Sequence, residues 1–490
     1  MRHGNCKVMI VQRISYGLLL FGLVASMAAQ EPIRWGEVTV QASVRSRLEL
    51  WDWFGAGEAS RYGYLGNQAR LGFSQSKTNL DWQLEFMAPI LLGLPDDAVQ
   101  AAPQGVLGLG GNYFAANDRK RNAAMVFPKN AFVRFKNLGG DKTQSLRLGR
   151  FEYIDGSEVV PKDPTLAWLK ANRINQRILG SFGWSHVGRS FDGAHYVLNR
   201  PGGNLTVLAA VPTRGVFQVD GWGWNRAAVG YAAYTAPVKP AKGAAELRLF
   251  GMYYHDWRRV VKTDNRAAAA RAADLANISL ATFGGHYLHA HPTAAGAVDV
   301  SLWGAAQTGR WGRLDHRSGA FLAEVGFQPA KVAWKPWIRG AYYYGSGDGD
   351  PSDSTHGSFF QVMPTPRPFA RTPFYDMINN RDAMAQLVLR PKPVVSVMGE
   401  FHNLSLASPN DLWYLGGGVF QPWSFGYIGR PSQGKSGLAN LYDVSVDYKV
   451  NAHTSLTVYF GYMQALGVTE AIYPRGSDGR FGYVEWMYKF

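Results

Sequence analysis

Successive side chains of a β-strand point to opposite faces, so a strand with one greasy and one wet side alternates with a period of two residues. Residues 37–53, EVTVQASVRSRLELWDW, follow that rule: Val38, Val40, Ala42, Val44, Leu48 and Leu50 share one face, and Glu37, Thr39, Gln41, Ser43, Arg45, Arg47 and Glu49 share the other. The run is longer than the ~5–6 residues usual for a soluble strand and fits the ~10-residue lipid crossing of a tilted barrel strand with its ends protruding. The pattern recurs. Leu80, Trp82, Leu84 and Phe86 alternate with Asp81, Gln83 and Glu85; Val395, Val397, Gly399 and Phe401 with Ser396, Met398, Glu400 and His402; Tyr442, Val444, Val446 and Tyr448 with Asp443, Ser445, Asp447 and Lys449. The chain closes on Val484, Trp486, Tyr488 and Phe490 interleaved with Tyr483, Glu485, Met487 and Lys489.

Eighteen such segments are predicted, near 37–53, 62–76, 79–88, 130–137, 145–153, 190–199, 204–212, 225–235, 243–256, 277–290, 297–308, 318–327, 335–345, 381–390, 394–405, 440–449, 454–464 and 481–490. The connections sort by parity. Strands two and three are joined by KT, six and seven by RPGG, ten and eleven by HPTAAG, fourteen and fifteen by PKP, sixteen and seventeen by VNAH. The long connections, at 89–129, 154–189, 257–276, 346–380 and 406–439, all have the opposite parity. A β-sandwich has no reason to sort its loops this way, and no blade repeat of a propeller is present. The pattern predicts an all-β fold, a transmembrane antiparallel β-barrel of 18 strands with short periplasmic turns and long extracellular loops. Trp486, Tyr488 and Phe490 then face lipid at the membrane interface, and Glu485 and Lys489 face the lumen; the aromatic terminus resembles the signal by which the barrel-assembly machinery recognises outer-membrane barrels.

Composition fits a membrane-crossing barrel. Gly (56), Tyr (24), Trp (16) and Phe (26) are abundant, and beyond the amino terminus no apolar run approaches the ~18 residues of a spanning helix. Residues 1–29 read as a signal peptide: Arg2, Lys7 and Arg13 precede the apolar YGLLLFGLVA at 16–25, and SMAA offers cleavage after Ala28 or Ala29. The barrel domain is then 30–490, without cysteine, since Cys6 is the only one. Export leaves 48 basic against 36 acidic residues.

The lumen faces do not hold that surplus. By parity they carry Arg45, Arg47, Arg70, Arg134, Lys136, Arg147, Arg248, Lys335, Arg339, Arg390, Lys449 and Lys489 against Glu37, Glu49, Asp81, Glu85, Glu246, Glu324, Asp382, Glu400, Asp443, Asp447 and Glu485. The surplus lies in loops and turns. Loops folding inward would bring Arg367, Arg371, Arg381 or Arg430 to a constriction, where guanidinium groups hold carboxylates in bidentate pairs; Pro364, Pro366, Pro368 and Pro373 stiffen that region. Exterior basic side chains would meet lipopolysaccharide phosphates. No metal or cofactor is expected: Asp348, Asp350 and Asp353 depart from Ca²⁺-loop spacing and read as a solvated turn, and His286, His289 and His291 have no thiol or carboxylate beside them in sequence. Ser354 and His356 do not make a triad, and no enzyme activity is expected. Trp413, Tyr414, Phe420, Trp423, Phe425 and Tyr427 read as packing of an extracellular loop rather than a sugar platform, and TLAWLKANRINQRIL at 165–179 as a loop helix packed on the barrel.

YLGNQARLGF (64–73), LRLGRFEYIDG (146–156), YYYGSGDGDPSDSTHGSFFQVMPTP (342–366), NDLWYLGGGVFQPWSFGYIGRPS (410–432) and LANLYDVSVDYKV (438–450) resemble the alginate export family, outer-membrane barrels that secrete an acidic polysaccharide. The resemblance implies an 18-stranded barrel and a conduit whose basic side chains attract uronates, here at Arg45, Arg47, Arg70, Lys129, Arg134, Arg150, Arg367, Arg371 and Arg381. Arg150 shares the side of Leu148 unless Gly149 marks a bulge. The turn between strands sixteen and seventeen is short where the family's secretion porin carries a periplasmic plug. The expected function is passive export of an anionic, alginate-like polysaccharide or its oligomers, with periplasmic secretion proteins as partners and no nucleic acid; the alternative is a general or uptake porin for small anionic solutes.

Overall fold

The computed structural model describes residues 33–365 and 371–490. The signal segment and Arg367 lie outside the described residues. All eighteen predicted segments are strands: β1 (Val38–Asp52), β2 (Arg61–Ser76), β3 (Leu80–Leu92), β4 (Phe127–Lys136), β5 (Gln144–Phe151) and β6 (Phe191–Arg200). Next come β7 (Gly203–Pro212), β8 (Ala227–Val238), β9 (Ala244–Asp256), β10 (Ile278–Thr293), β11 (Gly296–Trp311) and β12 (Leu314–Pro329). The circuit ends with β13 (Trp337–Gly345), β14 (Asn380–Lys392), β15 (Val395–Ser405), β16 (Gly437–Lys449), β17 (Thr454–Ala465) and β18 (Asp478–Lys489).

Each strand pairs antiparallel with its sequence neighbours, and β18 closes on β1 in a register running from Ser43 opposite Lys489 to Asp52 opposite Arg480. Closure leaves no sheet edge in hydrocarbon, where each unmet backbone group costs several kcal/mol. Phe490 extends the ladder by one residue, its N–H donating to the Ala42 carbonyl (3.1 Å). On the outer face Trp486 stacks on Tyr488, ring centres 6.2 Å apart, and Tyr488 lies tilted against Phe490 at 6.0 Å. Leu50, Leu249, Phe283, Ile338 and Phe460 are among the exposed apolar side chains of that face, as the alternation requires.

The short turns gather at one rim and the long connections at the other, with one exception: Gly312 and Arg313 join β11 to β12 tightly at the long-loop rim. Among the described residues four α-helices lie in long loops, α1 (Gly108–Ala116), α2 (Pro164–Leu169), α3 (Ala268–Ala273) and α4 (Gly467–Ile472). The buried apolar core is inside the cylinder, where Phe182, Val187, Phe217, Phe360, Met363, Phe374 and Met377 of the long loops meet inward side chains such as Tyr64, Met87 and Tyr254. The lumen is filled by folded loop.

Candidate conduit and the loop that fills it

The connection from β5 to β6, residues 152–190, turns inward. Asp163 starts α2, its carboxylate accepting from the N–H groups of Thr165 (2.9 Å) and Leu166 (3.0 Å), with Pro164 at the first helical position. A wider turn, Lys170–Ile174, continues it. The Gln328 side-chain amide donates to Thr165 Oγ1 (3.3 Å), and Trp168 lies 4.4 Å from Trp337. Gln328 and Trp337 flank the short turn between β12 and β13. A loop leaving the extracellular rim therefore reaches the periplasmic end. The expectation of a helix packed on the barrel is corrected: it packs inside, because its cations find carboxylates on the lumen wall.

Those ion pairs are buried. Lys170 Nζ meets Glu246 at 2.7 Å, and His286 meets the same carboxylate at 3.0 Å. Arg173 pairs with Glu324 (2.7 Å) and approaches Glu400 (3.8 Å); Arg177 stands 4.0 Å from Glu324. Arg339 holds the other oxygen of Glu324 at 2.7 Å and also binds Asp299. Arg248 reaches from the wall to Asp155 (2.9 Å) and Glu158 (3.1 Å) of the loop. A lone charge in so dry a place is expensive, and removing one member of such a pair costs about 3–5 kcal/mol. This explains the near balance of lumen charges: many match the loop or one another.

On the returning limb the wall donates to backbone. Arg45 binds the carbonyls of Gly183 (2.9 Å) and Ser185, Arg47 that of Trp184 (3.0 Å), Gln68 that of His186 (3.0 Å) and Lys129 that of Val187 (3.0 Å). Gly66 permits this approach, since a Cβ there would lie 2.2 Å from His186 Nε2. Gly66→Ala should destabilise the seated limb by about 1–3 kcal/mol through overpacking, read as a lower melting temperature in detergent.

His186 gives the limb a pH response. It lies among Glu49 (3.2 Å), Arg45, Arg47, Tyr64 and Tyr113, and burial pushes its pKa down to about 4. Between 6.5 and 4 the unfolded segment takes a proton that the seated segment refuses, so seating weakens as pH falls through that window, by roughly 3 kcal/mol at most. Single-channel open-state fluctuations should increase from pH 7 to pH 4.5, and His186→Gln should flatten the response.

Residues 346–379 lie alongside. Gly180 N–H donates to Met363 O (2.8 Å), Met363 N–H to Ile178 O (2.8 Å) and Thr365 N–H to Gln176 O (2.9 Å). Above them sits the hairpin Leu412–Gly416 with Tyr427–Pro431. Trp413, Tyr414, Phe425 and Tyr427 are buried there and Trp423 is exposed, so these aromatics chiefly pack the loops. Arg430 is sealed in the same cap, bound to the carbonyls of Gln104 (3.0 Å) and Val106 and lying over Trp413. Asp350 and Asp353 are exposed, but Asp348 is buried beside Asp411, and burial pushes it up to about 6. It does not belong to a solvated turn. His356 stacks on Trp311 (4.1 Å) and meets His316 (2.9 Å) rather than Ser354.

The filling is lopsided. Along β8–β13 the wall ions are sealed, Arg248 and Arg339 at 1 and 0% side-chain exposure. Along β2–β5 and β16–β18 a crevice stays open: Arg134 is 47% exposed, Arg371 23% and Arg70 21%. Arg70 holds Glu152 in two bonds (2.7 and 3.2 Å) and Glu85 at 3.2 Å; Arg371 holds Asp447 at 3.3 Å; Arg134 and Lys136 share Asp81. Burial raises the pKa of Glu152, but Arg70 and Lys129 overcome it and hold the group near about 2, ionised. Arg147 carries no carboxylate among the described residues; it meets His195 (2.9 Å) and lies over Phe151.

Of the expected conduit residues, Arg70, Arg134 and Arg371 thus border the crevice. Arg45, Arg47 and Lys129 face inward but are buried as anchors of the loop, Lys129 as the extra residue of a bulge between Pro128 and Asn130 opposite β3. Two placements are corrected. Arg150 points outward: the register across Gly149 is regular, and Arg150 pairs with Asp192 (2.7 Å) beside Trp222. Arg381 also points outward, next to inward Asp382, with its guanidinium on the Ala407 carbonyl (3.0 Å). The sequence reading missed the inward cations Lys170, Arg173 and Arg177; the unmatched lumen acids Glu246, Glu324 and Glu400 were the available signal.

The family model described as alginate export matches residues 96–465. No curated protein matches the chain. Solved barrels share its fold at low identity. OccAB2 of Acinetobacter baumannii aligns with a TM-score of 0.55 at 9% identity, covering 93% of this chain and 99% of that one. OccK9 (OpdG) of Pseudomonas aeruginosa gives 0.54 at 10%, over 93% and 98%, and the outer membrane protein opdK of the same organism 0.53 at 9%, over 92% and 98%. The cylinder, its one-sided crevice and the family match together make the chain an outer-membrane channel, a member of the alginate export family.

Proposed function

We propose that the channel passively exports an anionic, uronate-bearing polysaccharide or its oligomers. One observation carries the reading: the lumen cations Arg70, Arg134 and Arg371 keep exposed guanidinium surface, whereas Arg248 and Arg339 across the lumen are sealed. Such groups attract carboxylates in a confined space and can release them, because their own carboxylate partners compete. The periplasmic turns support entry from that side, with Lys77, Lys142, Lys239, Lys242, Lys331 and Lys335 against Glu37 and Asp141. A recess of about 460 Å³ at that mouth is lined by Arg390, Lys449, Lys489 and His453 with Asp447 as its one acid. Such a rim concentrates a polyanion before threading.

Planar-bilayer recording tests this. Polyuronate added on the periplasmic side should block anion current while a neutral glucan of equal length does not. Replacing Arg70, Arg134 and Arg371 together by Gln should weaken the block by up to roughly a hundredfold, since each partly exposed ion pair is worth up to about 1 kcal/mol. Equal block by the neutral glucan would overturn the proposal. The extent of the loop filling favours a second reading, a porin for small anionic solutes; permeation by a uronate monomer without block by the polymer would select it.

A further inference from the structure

Glu400 and His402 on β15 and Asp443 on β16 form a cluster that the ion-pair scheme leaves incomplete. Glu400 and Asp443 are direct cross-strand partners, and His402 stands two residues from Glu400 on the same face. One donor atom from each lies within 4.8 Å of the others, and all three residues are buried. His402 is fully enclosed. Its Nδ1 is engaged by Asp382 (2.9 and 3.0 Å) and Tyr375 (3.3 Å), while its Nε2 has no hydrogen-bond partner among the described residues. Glu400 Oε1 accepts from the Gln386 amide, and Asp443 Oδ2 accepts from Tyr459 (2.9 Å). Arg173 approaches the same Glu400 oxygen at 3.8 Å, so the contacts described engage one oxygen of each carboxylate.

We propose that Glu400, His402 and Asp443 bind a divalent transition-metal ion of the Zn²⁺ class. One imidazole nitrogen and two carboxylate oxygens suit zinc, with bonds near 2.0–2.2 Å and a water as fourth ligand. Asp382 would act as the outer carboxylate that fixes the ring and leaves Nε2 facing the metal. The site also has a structural consequence. Tyr375 on Asp382, and Thr372 on Tyr459, tie residues 371–378 to the same patch of wall. Metal at the cluster would therefore stiffen the support of Arg371 at the edge of the crevice.

The test uses the full-length protein in detergent, stripped with EDTA and titrated with Zn²⁺ by calorimetry, and separately with Co²⁺ by visible absorption. The expected result is one tight Zn²⁺ per chain, a higher melting temperature, and Co²⁺ bands of a site with mixed nitrogen and oxygen donors. His402→Gln and the double variant E400Q/D443N should abolish the tight equivalent. Asp382→Asn, which keeps all three ligands, should weaken it by roughly 10–100-fold. Heat-modifiable gel migration checks that each variant folds, and if the ligand variants do not, D382N and the Co²⁺ spectrum of the native protein decide. No tight equivalent in the native protein, or affinity unchanged in folded H402Q or D382N, overturns the proposal.

Discussion

Excising residues 159–174 and bridging the gap with two glycines should raise single-channel conductance several-fold and shift the ion preference of the channel toward cations. The excision leaves the cylinder intact, because closure rests on the backbone ladder between β1 and β18 and not on the loop. The flanks tolerate it: Gln176 N–H already donates to Asp155 O, so the ends to be joined are neighbours. An 18-stranded barrel relieved of this part of its filling has room for a wider aqueous path. The selectivity change follows from the ion pairs. With Lys170 and Arg173 gone, Glu246, Glu324 and Glu400 lose cations that now cover them, and the freed half of the lumen becomes acidic. Bilayer recording with salt-gradient reversal potentials measures both effects.

The second large effect comes from one atom exchange. Glu324→Gln removes the charge that Arg173 and Arg339 share and that Arg177 approaches. Three guanidinium groups are then left with Glu400 and Asp299 as their nearest acids. Removing one member of a buried ion pair costs about 3–5 kcal/mol, and here the cost falls on the seated loop rather than on the barrel. The variant should still migrate as a folded, heat-modifiable barrel. Its channels should flicker between the native conductance and a larger one, and the larger level should be absent from the native protein at neutral pH.

The barrel was legible in the sequence because a lipid-facing strand must alternate, and a closed sheet sorts its connections by side. Even the outward Trp486, Tyr488 and Phe490 followed from parity alone. Parity held the answer for Arg381 too, although the sequence reading placed it in the conduit: with Asp382 inward, its neighbour had to point out. Arg150 needed one more fact, whether Gly149 shifts the register, and strand periodicity cannot supply it. The site was harder for a different reason. The partners of Glu246 and Glu324 lie 76 and 151 residues away in sequence, on a loop whose destination depends on what the lumen offers it. The segment 165–179 showed its helical character and its cations; that it packs inside the barrel emerges only when those cations are set against the excess of acid on β9, β12 and β15. The Glu400, His402 and Asp443 cluster was hidden similarly, since its cross-strand contact exists only once β15 and β16 are paired.

Trypsin applied to outer-membrane vesicles with the extracellular face outward, followed by mass spectrometry of the fragments, tests the inward seating of residues 152–190 most directly. Lys120 and Arg259 are exposed on long loops and serve as internal controls. Lys170, Arg173 and Arg177 are buried. Cleavage after the control residues with none after Lys170, Arg173 or Arg177 is the expected result, and Glu324→Gln should open those sites. Cutting of the native protein after Arg173 or Arg177 as fast as after Lys120 would contradict it, and the loop would then lie outside the barrel.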